Sequence, residues 1–265
     1  MTVIRLLLGL AVLVTSATQV GGNVITPQQQ GRAIFEAADA RNSGYVDLEV
    51  ELQMILRSPS GAATQRSLRI SQFEVPEDGD KMLVVFETPA DIRGTALLSH
   101  AHKAKEDDQW LFLPAIKRVK KVSSHNKSGS FVGSEFSYQD LSPPQLDKYT
   151  YEFIREDTLD DIPCFVVKRV STERNYQYAE EYFWIDQEAF RVHRVDYFDH
   201  TGSQVKQLRA LEFALYDERF WKARRMLMTN LRNNRSTELV WHDFEFNVGL
   251  DGTRDFSVNS LRRAR

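Results

Sequence analysis

The chain has 265 residues, a net charge of -3 and interspersed charges of both signs, which excludes the strongly basic domain expected of a nucleic-acid binder. Its one cysteine, Cys164, excludes an intramolecular disulfide, so the fold rests on its own core. The 16 Phe, 9 Tyr and 4 Trp suit strands and large apolar surfaces.

Met1 to Arg5 carries one positive charge, Leu6 to Val14 is a short apolar run, and Thr15-Ser16-Ala17 is a small-residue exit. These are the parts of a secretory signal peptide, with cleavage expected after about residue 17 to 22. The apolar run falls short of the roughly 20 residues of a membrane-spanning helix. The expected product is a single domain over residues 23–265, exported to the periplasm. Thr26 as N-cap, Pro27 at the first helical position and Gly44 as stop predict a helix from about Pro27 to Arg41.

From Tyr45 the period changes to two. Val46, Leu48, Val50, Leu52, Met54 and Leu56 alternate with Asp47, Glu49, Glu51 and Gln53, so one face of a strand is covered and the other is wet. The pattern recurs to Phe246, giving about twelve short strands at hairpin spacing. The last three run over Gln204–Leu215, Phe220–Thr229 and Glu238–Phe246. The expected fold is mainly β, an antiparallel sheet curled into a barrel or half-barrel. Ser123 to Gly133 reads as a long mobile loop. Tyr138 to Lys148, with Pro143-Pro144, reads as a short turn or helical piece.

Three motifs arrive in order. Pro89 to Thr95 reads Pro-Ala-Asp-Ile-Arg-Gly-Thr. Asp108 to Ala115 reads Asp-Gln-Trp-Leu-Phe-Leu-Pro-Ala. Phe131 to Leu141 reads Phe-Val-Gly-Ser-Glu-Phe-Ser-Tyr-Gln-Asp-Leu. Together they resemble the bacterial outer-membrane lipoprotein-sorting protein family, the LolA-like proteins. The resemblance covers essentially the whole mature chain. It implies a strongly curved, incomplete antiparallel barrel with the N-terminal helix and the short helical piece covering its mouth. It also implies an apolar cavity for a lipid or the acyl chains of a lipoprotein, with transfer towards the outer membrane. Partners of such a carrier would be an inner-membrane transporter or an outer-membrane acceptor; a monomer is expected. An acyl chain gains about 0.8 kcal/mol per methylene removed from water, so roughly sixteen carbons gain about 10 kcal/mol before ordering costs.

Arg93, Trp110, Phe112, Trp184 and Trp221 are the candidate cargo contacts; Tyr182 and Trp241 share their character. Arg93 suits a phosphate or carbonyl, against the plainer reading of a turn residue paired with Asp91 or Glu87. Trp offers an apolar body with a polar edge. Lys117, Arg118, Lys120 and Lys121 are candidate headgroup or membrane contacts, against a solvated edge. On a strand Arg118 and Lys120 share one face, and Lys117 and Lys121 the other.

His100-Ala101-His102 offers two imidazoles without a third ligand at telling spacing, so no metal is assigned. Glu180-Glu181 and Asp160-Asp161, as adjacent residues on strands, diverge and make poor acid/base pairs. No nucleophile elbow, phosphate-binding glycine loop or His-Glu-x-x-His is present, so the reading is of a binder without cofactor rather than an enzyme. The alternative is a non-transporting scaffold module associated with a membrane export complex.

Overall fold

The computed structural model describes residues 25–263, so the expected signal peptide lies outside the described residues. Helix α1 spans Pro27–Asn42. It opens on a capping box: the Thr26 hydroxyl accepts from the Gln29 amide at 3.2 Å, and the Thr26 amide donates to Gln29 Oε1 at 2.9 Å. Its buried face is Gly31, Ile34, Phe35 and Ala38, the helical spacing of three and four. Gly31 is required by proximity. A Cβ there would stand 2.8 Å from the Phe153 amide nitrogen, so α1 lies almost directly on the strand beneath it.

Thirteen strands follow: β1 Asp47–Arg57, β2 Ala63–Phe73, β3 Lys81–Thr88, β4 Ala96–His100, β5 Asp108–Leu113, β6 Arg118–Lys121 and β7 Tyr149–Leu159. They continue with β8 Ile162–Ser171, β9 Glu180–Asp186, β10 Val192–Phe198, β11 Gln204–Tyr216, β12 Phe220–Asn230 and β13 Arg235–Phe246. All belong to one antiparallel sheet in the order β6-β5-β4-β3-β2-β1-β13-β12-β11-β10-β9-β8-β7. Two meanders, β1 to β6 and β7 to β13, are thus joined where the first strand pairs the last. The sheet does not close into a barrel. Its free edges are β6 and β7, the strands joined by the 122–148 connection.

That connection differs from the expected loop. Phe131 is fully buried and stacks on Phe86 with ring centroids 5.4 Å apart, and Phe136 is buried beside it. The segment lies across the interior face because it carries apolar side chains that only that face can cover. Polar contacts fix its middle and its C-terminal end. Gln109 donates to Ser99 Oγ at 2.9 Å and to the Tyr138 carbonyl at 2.8 Å. Lys148, beside β7, reaches Asp107, beside β5, at 2.5 Å and Glu173 at 2.9 Å. The Pro143-Pro144 region takes the expected form, with single 3-10 turns at Gln139–Leu141 and Leu146–Lys148.

A second difference lies at Asp160-Asp161. Both residues have positive φ, 50° and 65°, and form the two-residue turn between β7 and β8 rather than part of a strand. Strand β7 accordingly runs to Leu159, directly before the turn.

The main core joins α1, the 122–148 connection and the interior sheet face. Leu52, Met54, Leu68, Val84, Phe86, Leu97, Ile185 and Met228 are among its members. A smaller core lies on the outer face, where Val85, Ala96, Leu98 and Phe112 are covered by Phe256 and Leu261 of the C-terminal segment. A third cluster on the outer side of β8 and β9 holds Cys164, Val166 and Trp184.

Candidate functional site

Strand alternation sends one set of side chains inwards from every strand. Between that set and the covering connection a cavity of about 320 Å³ remains. Leu52, Leu68, Ile70, Leu208 and Leu239 give it an aliphatic wall. Met54, Met82, Met226 and Met228 also line it, so every methionine apart from Met1 converges there. Methionine is unbranched and polarizable, and it repacks around irregular guests more readily than leucine. Trp241 reaches the same space, and its buried indole nitrogen has no hydrogen-bond partner.

The opposite wall is polar. Arg169 and Glu181 are directly paired residues of β8 and β9 and form a bidentate ion pair at 2.7 and 3.0 Å. Tyr176 donates to Glu181 at 3.1 Å. The Arg169 guanidinium lies 4.1 Å from the Tyr149 ring centroid and 4.5 Å from that of Phe183. Burial works against its charge, but Glu181 and the flanking tyrosines outweigh this and hold its pKa well above the usual arginine value. Asp140, beside them, is pushed up by burial and then by Glu181, against the Lys206 charge and the hydrogen bonds from Ser137. The cavity is therefore amphipathic, greasy along one wall and charged but internally neutralised along the other.

The five cargo candidates sit elsewhere. Trp110 and Phe112 belong to the outer-face core. Trp184 is in the third cluster, where its indole donates to Asp157 at 3.0 Å and Arg194 lies over its ring at 4.3 Å. Trp221 packs under Arg191 at 4.7 Å. Arg93 donates from Nε to the Glu87 carbonyl at 2.8 Å, so neither expected carboxylate takes that bond. The structure does bring Arg93 and Phe112 together, with Lys117, in a groove of about 1000 Å³ on the outer face. Of the aromatics singled out in sequence, Trp241 is the one on the interior cavity.

The basic run forms the edge. Arg118, Lys120 and Lys121 are exposed on β6, and Lys121 pairs with Asp108 at 2.6 Å. Burial raises the Asp108 carboxyl, but hydrogen bonds from Lys121 and His102 outweigh it and hold its pKa at about 2. The two histidines are engaged separately, His100 with the Phe256 carbonyl at 2.8 Å and His102 with Asp78 at 2.5 Å. Cys164 is fully buried, and burial followed by the Asp186 charge pushes its thiol up to about 11, as suits an inert core residue.

A model for a family described as uncharacterized protein matches residues 78–263. Comparison with curated proteins gives no match. Among solved structures, a domain assigned to outer membrane lipoprotein sorting from Vibrio parahaemolyticus is 38% identical and has a TM-score of 0.86. The alignment covers 89% of this chain and 100% of that one. The chain belongs to the same family as this outer membrane lipoprotein-sorting domain. A DUF1329 family protein from Desulfovibrio piger is 26% identical, with TM-score 0.84 over 89% of this chain and 99% of that one. A LolA superfamily protein from Nitrosomonas europaea shares the fold at 19% identity, with TM-score 0.71 over 89% and 99%. The LolA-like fold accounts for the open sheet and the covered interior. Among the described residues no helix is long and apolar enough to cross a membrane.

The methionine convergence and the Arg169–Glu181 pair were not selected from the sequence. The four methionines come from β1, β3 and β12, and only the register of a folded sheet unites them. The ion pair had a weak signal, an Arg and a Glu twelve residues apart on consecutive strands.

Proposed function

We propose that the protein is a periplasmic carrier that takes the acyl chain of a lipid or lipoprotein into the interior cavity, for transfer towards the outer membrane. The observation that carries this reading is the cavity wall: four methionines and Trp241 around unfilled space in a LolA-like fold. A resting volume of about 320 Å³ is at the lower end of the roughly 300–1,000 Å³ typical of ligand sites. Loading by a full acyl chain therefore requires the wall to move, and flexible methionine side chains supply that movement. The polar wall around Arg169 and Glu181 suits the carbonyl end of the guest. The role is binding and release by one domain spanning residues 23–265, without a cofactor or turnover.

Trp241 provides the test. Dibromostearic acid, whose bromines quench tryptophan on contact, is expected to dim the fluorescence of the purified protein. Trp241→Phe should remove most of that change, because the other three tryptophans line different surfaces. No quenching of the wild type, or equal quenching in Trp241→Phe, would rule out occupancy of this cavity.

A further inference from the structure

The outer groove is a second, separate surface, built where two hairpin ends meet the C-terminal segment. The β3–β4 connection supplies Arg93, the β5–β6 connection supplies Pro114 and Lys117, and the last turn of the C-terminal segment supplies Arg262. Because the first six strands form a meander, both connections fall at the same end of the sheet. Phe112 contributes an apolar patch inside the groove. Next to Lys117, at the tip of its turn, Ile116 is 51% exposed.

The charges are unbalanced. Arg93, Lys117 and Arg262 have no carboxylate within ion-pair distance among the described residues, Arg93 spending one donor on a backbone carbonyl. The groove's carboxylate, Glu87, faces Arg69 at 3.5 Å. Three free cations around apolar side chains form the arrangement that anionic phospholipid headgroups meet well: charge for the phosphates, and a protruding Ile to enter the interface.

We propose that this end of the molecule docks on an anionic phospholipid bilayer, with headgroup phosphates held by Arg93, Lys117 and Arg262. The site is distinct from the interior cavity and stands whether or not that cavity carries an acyl chain. An acidic protein would satisfy the charges but would leave Ile116 without a reason to be exposed.

The full chain is sedimented with vesicles of mixed phosphatidylglycerol and phosphatidylcholine, and with vesicles of phosphatidylcholine alone. Binding is expected to the mixed vesicles only, and to fall as ionic strength rises from about 0.01 to about 0.15 M. Each cation replaced by Gln should weaken partition roughly fivefold, and Arg93→Gln, Lys117→Gln and Arg262→Gln together roughly a hundredfold. Arg118→Gln with Lys120→Gln is the matched control, since the β5–β6 register turns those two side chains to the other face. The control should bind as the wild type. Equal binding to both vesicle types, no effect of the triple variant in folded protein, or an equal loss in the control would overturn the proposal. So would a groove that binds polyglutamate in solution while vesicles are ignored, which would point to an acidic protein partner. Dibromostearate quenching of Trp241 in the triple variant should be unchanged, so failure here and failure of the carrier reading are separable.

Discussion

The two faces of one sheet are covered in opposite ways. On the outer side a short C-terminal segment lays Phe256 and Leu261 into the strands until both are fully buried. On the inner side a helix and a connection of more than twenty residues also bury Phe35, Phe131 and Phe136, yet leave a methionine-lined space between cover and sheet. Burial of aromatic anchors is thus common to both faces, but the outer face carries an open groove beside its cover, whereas the inner face keeps its space beneath the cover, against the sheet. Close packing is the default of protein interiors, so a gap walled by side chains that repack easily is the feature on which the proposed carrier role rests.

The sharpest way to break this comparison is to delete one anchor from each face. Phe131→Ala and Phe256→Ala should each cost about 3–5 kcal/mol in urea unfolding, since both rings are fully buried. Their effects on loading should differ. Phe131 borders the cavity, so its removal enlarges the space and should increase dibromostearate uptake, whereas Phe256→Ala should leave uptake unchanged. Equal effects on uptake would mean that the gap is not a property of the inner face.

A somewhat smaller effect tests the polar wall. Glu181→Gln keeps the shape and the Tyr176 contact but leaves the Arg169 charge unpaired among Tyr149 and Phe183. A cost of about 3 kcal/mol is expected, read as a lowered urea midpoint. If stability is unchanged, water already reaches Arg169, and the wall is the cavity mouth rather than its closed end.

Much of the architecture was legible because one-sided strands carry a period that survives in sequence. Leu48, Val50, Leu52 and Met54 gave the inner face of β1, and Thr26, Pro27 and Gly44 bracketed the helix. What was missed had no period to show. Phe131 is one aromatic in a run of Ser, Gly and Asn, and its burial depends on Phe86 being placed opposite. The Asp160-Asp161 turn lacks the Gly that advertises positive φ at a hairpin. Residue type alone makes Trp110 and Phe112 candidate cargo contacts. Strand parity at β5 sends them outwards, because Leu98 and Ala96, their respective partners across the ladder, also face the outer core.

The smallest expected effect concerns a charge that the inner side of β12 carries at a cost. Lys222 is half-buried, with its ammonium 5.3 Å from the Tyr45 ring and 5.9 Å from that of Phe246, and it makes no ion pair among the described residues. Burial, offset in part by Glu74, lowers its pKa from 10.5 to about 8. For a base with a depressed folded value, the unfolded chain holds the extra proton between about pH 8 and 10.5, so stability rises across that interval. Below it both states are charged and the folded state bears the full penalty. Lys222→Met should therefore stabilise the protein at pH 7 by about 1 kcal/mol, after discounting for the solvent that still reaches the amine. The advantage should shrink through pH 8 and vanish above 10.5, which paired thermal melts at the two extremes would show. A gain independent of pH would instead assign the effect to better packing against Tyr45 and Phe246, and would leave the ammonium as well solvated as any on the outer face.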